Sequence, residues 1–284
     1  MAFTAADVKK LREMTNVGMM DCKKALSEND GDMDKAIEWL REKGLAKAAK
    51  KSSRIAAEGM AYAAVVDGIG VIVEVNAESD FVAKNDLFVD YVKGVAAVVA
   101  KENPADLDAL YACAYGNGKT VLEEQNDKVL VIGENIKVRR FARFDKNTTV
   151  SYVHAGGKIG VLVSFDVEGV DTASDEFKQY GRDVAMQVAA VAPIAANRDQ
   201  VDPAVVEHEM SIYKAQAAES GKPEAIQEKM ATGRLEKFYK EQCLTEQSFV
   251  KNPDQTIAQY TDEVAKKLGG SIKVVDFKRF ALGE

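Results

Sequence analysis

The sequence predicts an α+β protein in which one unit of strands and helices occurs twice. IGVIVEVN at 69–76 matches IGVLVSFD at 159–166, and IKVRRFARF at 136–144 matches IKVVDFKRF at 272–280. Residues 1–43, in contrast, carry helical periodicity. We therefore expect a small helical domain followed by a core of two repeated α+β subdomains.

The N-terminal residues predict three short helices. Thr4 and Asp7 form a capping-box pattern ahead of an apolar stripe, and Gly18 separates this helix from a second one that begins at Met19. The turn NDGD precedes a third helix with apolar residues at the spacing i, i+3, i+4 and i+7. A basic segment, LAKAAKKSSR, follows and marks a linker, so the first domain and its linker are expected at residues 1–54.

Each repeated unit should contain a three-stranded antiparallel sheet. Each IGV segment is preceded by another apolar run and a turn with glycine, which is typical of a β-hairpin. A long amphipathic helix follows, and the IKV segment then adds a strand whose alternation favours the edge of a sheet. The expected boundaries are 55–145 for the N-terminal subdomain and 146–284 for the C-terminal subdomain.

The second unit is longer than the first, and a segment at about 200–245 accounts for the difference. Within it, Val206, Met210, Tyr213 and Ala217 form a narrow helical stripe that ends at SGKP. Glycine after one helix and proline at the start of the next are the usual punctuation between helices. We therefore predict an inserted antiparallel pair of helices that projects from the body toward a partner.

Composition excludes several classes of function. The formal charge of −7 argues against broad binding to nucleic-acid phosphates, which needs a basic surface. The N-terminus lacks a signal-peptide pattern and no apolar run approaches the ~20 residues of a membrane span, so a soluble, cytoplasmic protein is expected. Three widely spaced cysteines, Cys22, Cys113 and Cys243, predict buried thiols in a reducing compartment.

Signals for catalysis are weak. The histidines are His154 and His208, and neither HExxH nor a Cys/His cluster occurs. GNGKT at 116–120 ends like a phosphate-binding loop, but Cys113 replaces its first glycine, so a turn is favoured. HAGGK at 154–158 fits a hairpin turn better than an anion site. We expect no catalytic residue, no metal site and no cofactor.

Ser79, Asp80, Phe81 and Val82 occupy the corner between a predicted strand and a helix. Two interpretations of Phe81 are open. Helical periodicity places it on one face with Phe88, seven residues later, and because buried phenylalanine is common this favours a core role by roughly two to one. The alternative is an aromatic side chain held out toward a partner at a helix N-terminus, with Asp80 contributing to the cap.

Five segments of the sequence together resemble one known family. They are TNVGMMDCKKAL at 15–26, SDFVAKN at 79–85, IGENIKVRR at 132–140, VHAGGKIGVLV at 153–163 and ESGKPEAIQEKM at 219–230. In this order they are similar to bacterial translation elongation factor Ts along essentially the whole chain. GDMDKAIEWLREKG in the first domain also resembles a ubiquitin-associated (UBA) domain.

The resemblance implies a guanine-nucleotide exchange factor for elongation factor Tu, the GTPase that carries aminoacyl-tRNA. It implies a UBA-like N-terminal domain, a two-subdomain core and a coiled-coil hairpin. In the family, the corner enters the nucleotide domain of the partner and displaces its magnesium ion. That role falls here on Ser79, Asp80, Phe81 and Val82.

The resemblance also assigns contacts with the partner. The matching residues are Arg12, Met19, Met20 and Lys23 in the first domain and His154 in the core. Adjacent methionines cannot both face one small core, so one of the two should be exposed as an adaptable contact. Lysine would by default belong to a solvated face. Gln187 stands where the family often has histidine, and no role is assigned to it.

The expected partner is elongation factor Tu in its GDP-bound and nucleotide-free states, without direct contact with nucleic acid or membrane. The sequence leaves open whether the chain forms a homodimer. The main alternative is a UBA-type adaptor or scaffold without exchange activity, and a third class is an enzyme that binds nucleotide through GNGKT. Because exchange breaks no covalent bond, we expect a protein that is not an enzyme.

Overall fold

The structure is a computed structural model of the 284-residue chain and describes residues 3–15, 17–116 and 118–284. Two three-stranded antiparallel sheets form its centre, helices pack on them, and three further helices precede them. The predicted α+β class is confirmed. In the described part of the chain, no helix combines the length and the apolar character needed to cross a membrane.

Three helices open the chain: α1 (Ala5–Thr15), α2 (Met19–Glu28) and α3 (Met33–Lys51). The predicted capping box of α1 is present, because the Thr4 backbone N–H donates to Asp7 Oδ2 at 2.8 Å and Thr4 Oγ1 accepts from the Asp7 N–H at 3.3 Å. The buried side chains shared by the three helices include Leu11, Cys22, Leu26 and Leu40. Such packing is needed because isolated helices of about ten residues are marginal in water.

The first repeated unit comprises β1 (Glu58–Val66), β2 (Ile69–Ala77), α4 (Asp80–Ala83), α5 (Asp86–Glu102), α6 (Leu107–Ala112), β3 (Ala114–Gly116), β4 (Lys119–Thr120), α7 (Val121–Ile132) and β5 (Lys137–Phe144). Its sheet has the strand order β1-β2-β5, so β5 lies at the edge as its alternation predicts. One face of β2 packs against α5, and α7 packs against α5 in turn. Their shared core includes Val73, Phe88, Val95 and Val129.

The second unit comprises β6 (Thr148–His154), β7 (Ile159–Glu168), α8 (Asp175–Val191), α9 (Pro203–Ala218), α10 (Glu224–Gln242), β8 (Ser248–Phe249), β9 (Asn252–Thr256), α11 (Ile257–Leu268) and β10 (Ser271–Ala281). Its sheet has the order β10-β7-β6. The core between this sheet and α8 and α11 includes Phe165, Phe177, Tyr180 and Val264. Both predicted three-stranded antiparallel sheets are therefore confirmed.

The basic segment predicted as a linker is the C-terminal part of α3, which continues past Gly44 to Lys51. α3 packs against α7, and Leu130 of α7 joins the core of the three N-terminal helices. Arg41 Nη2 also lies 3.4 Å from Glu123 Oε1 of α7. The N-terminal helices are therefore attached to the first unit along α3.

The repeat extends beyond the segments that match in sequence. α7 and α11 each follow a short β-hairpin, begin with a capping box and end at a left-handed glycine. The boxes are formed by Thr120 with Glu123 and by Thr256 with Gln259. GNGKT therefore supplies residues of the short hairpin and the N-cap of α7. This agrees with the turn that the sequence favours over a phosphate-binding loop. Asn117 of this segment lies outside the described residues.

The helices α9 and α10 pack along each other. Gly221, with a φ of +65°, and Pro223, the N-cap of α10, lie at the turn between them. In these two helices the buried side chains are Ala217 and Ala231, so the apolar seam is thin. Most of the surface of the pair faces solvent.

The two sheets pack on each other, which the sequence did not predict. The apolar side chains between them are Ala61, Ala63, Ile72, Leu162 and Phe280. Gly70 allows a close approach, because a Cβ there would lie 2.4 Å from Thr149 Cγ2. The central strands β2 and β7 are consequently buried on both faces, which explains why their sequences are nearly continuous apolar runs.

Candidate functional site

The corner at residues 79–82 consists of a strand end and a capped helical turn. β2 ends at Ala77, and Ser79 has extended backbone angles as the N-cap of α4. Its Oγ accepts a hydrogen bond from the Val82 backbone N–H at 3.4 Å. This cap fixes the direction in which α4 leaves the sheet.

Phe81 and Val82 have opposite environments. Phe81 is 81% exposed, whereas Val82 is 8% exposed and belongs to the core of the first unit. The interpretation of Phe81 as a core residue is therefore wrong, and Val82 anchors the corner instead. Because its ring is exposed, Phe81 is available to a partner. Aromatic side chains that become buried in this way carry much of the binding energy in protein interfaces.

Asp80 and Lys84 flank Phe81 on the exposed side of α4. Lys84 Nζ lies 3.0 Å from Asp80 Oδ2. This hydrogen bond and the charge of Lys84, with a smaller contribution from Lys158, lower the pKa of Asp80 below its ordinary value. Asp80 is the first residue of α4, so the cap predicted to involve it belongs to Ser79 alone. The corner thus presents an ionised carboxylate beside an apolar ring.

Two loops hold each other at the base of the corner through reciprocal carboxylates. Glu134 Oε2 accepts from the backbone N–H groups of Glu78 at 3.0 Å and Ser79 at 2.9 Å, and Glu134 Oε1 accepts from Ser79 Oγ at 2.6 Å. Glu78 Oε1 in turn accepts from the Asn135 N–H at 2.6 Å. The sequence does not predict these contacts. The one feature of the sequence that could have indicated them is the polar pair Glu134 and Asn135, directly after Gly133, the C-cap of α7.

The turn between β6 and β7 lies beside the corner. Ala155, Gly156 and Gly157 have φ values of +48°, +67° and +100°, so a hairpin turn accounts for the glycines of HAGGK. A Cβ at Gly157 would lie 2.7 Å from Met60 Cγ, and the Gly157 carbonyl accepts from the Ala61 N–H at 2.7 Å. Because α4 also packs on β1, the turn and the corner are supported by the same strand.

His154 is exposed at the end of β6, next to this turn. Its Nδ1 lies 2.9 Å from Tyr152 Oη, and the centroids of the two rings are 5.9 Å apart. The guanidinium of Arg182 lies 5.8 Å from the Tyr152 ring centroid. These contacts give His154 a defined orientation while leaving it accessible.

The residues that the resemblance assigns to the first domain are all exposed. Arg12 lies on α1, and Met19, Met20 and Lys23 lie on α2. Met19 is 43% and Met20 is 76% exposed, so both methionines face solvent where the sequence predicts one. The reason is their position, because the two open α2 ahead of Cys22, its first buried residue. Both are therefore available as adaptable apolar contacts.

A cleft of about 320 Å³ separates the N-terminal helices from the first unit. Its lining includes Met14 of α1, Val17 between α1 and α2, and Leu87 from the first turn of α5. Met14 is 55% exposed. Because α5 directly follows the corner, the N-terminal helices and the corner approach the same end of α5.

Gln187 is fully buried, and both polar atoms of its amide are used. Its Nε2 donates to Gln247 Oε1 and to the Ser248 carbonyl, each at 3.1 Å, and its Oε1 accepts from the Val250 N–H at 2.9 Å. The residue therefore links α8 to the β8–β9 hairpin. This structural role explains a glutamine at a position for which no contact with a partner was assigned.

Within residues 3–15, 17–116 and 118–284, no group of three or more His, Cys, Asp or Glu side chains is arranged to hold a metal ion. Cys22 and Cys243 are buried as predicted, whereas Cys113 is only half-buried. Burial raises the pKa of all three thiols, that of Cys243 to about 11. They are therefore held in the thiol form, which is a poor nucleophile.

Known proteins match this chain over its full length. A family model described as Elongation factor TS matches residues 78–284, which is more than half of the chain. Elongation factor Ts of Trichlorobacter lovleyi is 49% identical over 291 residues, which cover 100% of this chain and 94% of that protein. The corresponding proteins of Magnetococcus marinus and Clostridioides difficile are 48% and 49% identical, covering 100% and 99% of this chain and 94% and 93% of their own lengths.

The fold and these matches define a translation elongation factor, a protein that acts in protein biosynthesis. The chain belongs to the elongation factor Ts family. The resemblance carried by the five sequence motifs is therefore confirmed.

Proposed function

We propose that this chain is a guanine-nucleotide exchange factor for elongation factor Tu. It binds the GDP-bound factor, dislodges the magnesium ion of that GTPase, promotes the release of GDP and remains bound to the nucleotide-free partner. The observation that carries the proposal is Phe81, which is 81% exposed on a corner fixed by the Ser79 cap. A pre-ordered aromatic ring beside the ionised Asp80 can enter a partner with little loss of conformational entropy.

The corner acts on its partner through space and charge. A GTPase holds the nucleotide phosphates with backbone N–H groups, a lysine and Mg²⁺. Insertion of the corner at Ser79, Asp80, Phe81 and Val82, with Phe81 exposed and Val82 as its buried anchor, displaces this ion. The loss of the ion leaves phosphate charge unneutralised and opens the site. By linkage, the exchange factor and the nucleotide weaken each other's binding by the same factor. No covalent bond is broken, so the chain is not an enzyme and needs no cofactor of its own.

The other assigned residues provide affinity. Arg12, Met19, Met20 and Lys23 contact the nucleotide domain of elongation factor Tu, where the two methionines adapt to an apolar patch. His154 contacts the partner next to the corner, since it lies beside the turn that shares β1 with α4. These contacts bring the corner to the nucleotide site.

The proposed architecture follows the same family. Residues 1–54 form a UBA-like domain with its basic linker, 55–145 and 146–284 form the two core subdomains, and about 200–245 form a projecting coiled-coil hairpin. The protein acts in the cytoplasm without direct contact with nucleic acid or membrane, and a homodimer stays compatible with this arrangement.

The deciding experiment is a stopped-flow measurement of labelled GDP leaving elongation factor Tu, with and without this protein. Acceleration that grows with the concentration of this chain supports exchange. A UBA-type adaptor would bind ubiquitin and leave the release rate unchanged, and a nucleotide-binding enzyme would bind labelled GDP by itself. A tight complex with an unchanged release rate would rule the proposal out.

A further inference from the structure

The carboxylate of Glu134 collects three hydrogen bonds at the base of the corner. Its donors are the backbone N–H groups of Glu78 and Ser79 and the Ser79 hydroxyl, at distances from 2.6 to 3.0 Å. Hydrogen bonds to an ionised acceptor are shorter and stronger than those between neutral groups. Because the donors belong to consecutive residues, Glu134 fixes the backbone immediately before α4.

Glu134 also determines how the Ser79 hydroxyl is used. A serine hydroxyl has one proton to donate and two lone pairs to accept. Since Ser79 Oγ donates its proton to Glu134, a lone pair stays available for the Val82 N–H, the bond that caps α4. Without the carboxylate, the hydroxyl can turn toward water and the cap weakens. Glu134 therefore supports the cap from a position 55 residues further along the chain.

The loop between α7 and β5 is itself braced by the C-terminal end of α3 and the residues that follow it. Asn135 Nδ2 donates to the Arg54 carbonyl at 2.9 Å, and Arg54 Nη1 lies 3.5 Å from Glu78 Oε1. The ammonium group of Lys51 donates to the Gly133 carbonyl. The loop is therefore held both by the end of α3 and by the corner. The Glu134 carboxylate can consequently hold the corner in one orientation.

We propose that Glu134 is a positioning residue for nucleotide exchange. It holds the backbone that carries Phe81, so that the ring is already oriented when the partner arrives. This inference rests on the proposed function of the corner. A corner without this support must be ordered during insertion, which slows the release step, whereas the N-terminal residues that capture the partner are unaffected. Glu134 should therefore affect the maximal rate of release more than the affinity.

The test is a kinetic comparison of full-length variants on elongation factor Tu loaded with labelled GDP. Glu134→Ala should lower the maximal release rate about tenfold or more, as expected for lost hydrogen bonds to a charged group. The half-saturating concentration should change much less than this rate. Glu134→Gln keeps one oxygen that can accept from both backbone N–H groups, so it should lower the maximal release rate by a smaller factor. Glu263→Gln, at an exposed position of α11, is the charge-matched control and should act like the unaltered protein.

A double variant decides whether Glu134 acts through the corner. In a chain that already carries Phe81→Ala, the change Glu134→Ala should have little further effect, because the ring it positions is missing. Independent, multiplicative losses of rate would overturn the proposal. So would a fully active Glu134→Ala beside an impaired Phe81→Ala, and in that case the proposed function would stand.

Amide hydrogen exchange measures the order of the corner without any partner. The Glu78 and Ser79 amides should exchange about tenfold faster or more in Glu134→Ala, since both lose their acceptor. A melting curve checks that the fold is intact. If Glu134→Ala does not fold, Glu134→Gln should still speed the exchange of both amides, by a smaller factor, because its neutral oxygen is a weaker acceptor. Unchanged exchange at both amides overturns the positioning role. If the unaltered chain accelerates no GDP release, the proposed function fails. The amide hydrogen-exchange rates then decide by themselves whether Glu134 orders the corner.

Discussion

Phe81 and Phe88 lie seven residues apart and have opposite environments, since Phe81 is 81% exposed and Phe88 is fully buried. They belong to two consecutive helices. α4 ends at Ala83, and Asn85 begins α5 by accepting a hydrogen bond from the Leu87 N–H at 2.9 Å. The periodicity that places residues i and i+7 on one face of a helix does not extend across this break. The ring of Phe81 is therefore free to contact another molecule.

The change Phe81→Ala should slow stimulated GDP release and leave the stability of the isolated protein nearly unchanged, because its ring contributes little to the core. Phe88→Ala is the control and should cost about 3–5 kcal/mol of unfolding free energy, the usual range for a buried phenylalanine. Melting curves and stopped-flow release rates measure the two effects. A Phe81→Ala variant that melts much lower, yet exchanges normally where it is folded, would contradict the assigned role.

Replacing Ser79 and Asp80 separates the cap from the charge. Ser79→Ala removes the side chain that caps α4 and should cost about 1 kcal/mol of stability, with slower GDP release. Asp80→Ala leaves the cap in place and removes the carboxylate beside Phe81. Its melting temperature should stay close to that of the unaltered chain, so a slower release would report on the charge of the corner. If Asp80→Ala exchanges at the normal rate, the carboxylate has no part in displacing the ion.

The elements predicted correctly are those with strong local patterns. The two IGV and two IKV segments located the central and edge strands of both sheets, and apolar spacing located α5 and α8. β4 has only two residues, which is too short for an alternating pattern to be recognised. The bond from Asn135 N–H to Glu78 Oε1 joins residues 57 positions apart, and no local pattern records such a contact. The exposure of Phe81 could likewise not be predicted from periodicity, because α4 ends before α5 begins.

Replacing residues 203–242 with a short Gly/Ser linker should leave a cooperatively folding core. The cores of the two sheet units contain no side chain from this segment. At its base, however, Phe238 and Tyr239 pack near Cys243, so the replacement should lower the melting temperature. A shorter replacement of 207–235 keeps these aromatic contacts and should melt closer to the complete protein. Loss of a single cooperative transition in calorimetry for both variants would show that the hairpin is part of the core.

Removing residues 1–54 should weaken binding to elongation factor Tu while the core stays folded. The three N-terminal helices have a core of their own and meet the first unit where α3 covers Leu130 of α7. The truncation exposes Leu130, so a lower melting temperature should accompany the weaker binding. The double change Met19→Ala and Met20→Ala alters exposed side chains only, and it should weaken binding without changing the melting temperature. Undiminished affinity of both proteins in calorimetry would exclude a docking role for this domain.

Arg198 joins the base of the α9–α10 pair to the body of the second unit. Its Nη2 lies 2.8 Å from Glu236 Oε2, and its Nε lies 2.5 Å from Glu246 Oε1. The guanidinium also lies 4.6 Å from the ring centroid of Tyr239. Glu236 and Tyr239 belong to α10, whereas Glu246 follows it, so Arg198 helps to set the direction in which α10 leaves the body. A lysine could not replace this planar fork, which binds two carboxylates at once.

This arrangement makes part of the stability depend on pH. The hydrogen bond with Arg198 lowers the pKa of Glu236 below its ordinary value of 4.5. A carboxyl group whose pKa is lower in the folded than in the unfolded state stabilises the fold above about pH 4.5 and loses that contribution as the pH falls through the folded pKa. Arg198→Met should therefore lower the melting temperature at neutral pH and have a smaller effect at an acidic pH well below 4.5. Lys237→Met, which removes only an exposed pair with Glu241, is the control and should change the melting temperature little at either pH. An equal effect of Arg198→Met at both pH values would show that its ion pairs do not contribute to stability.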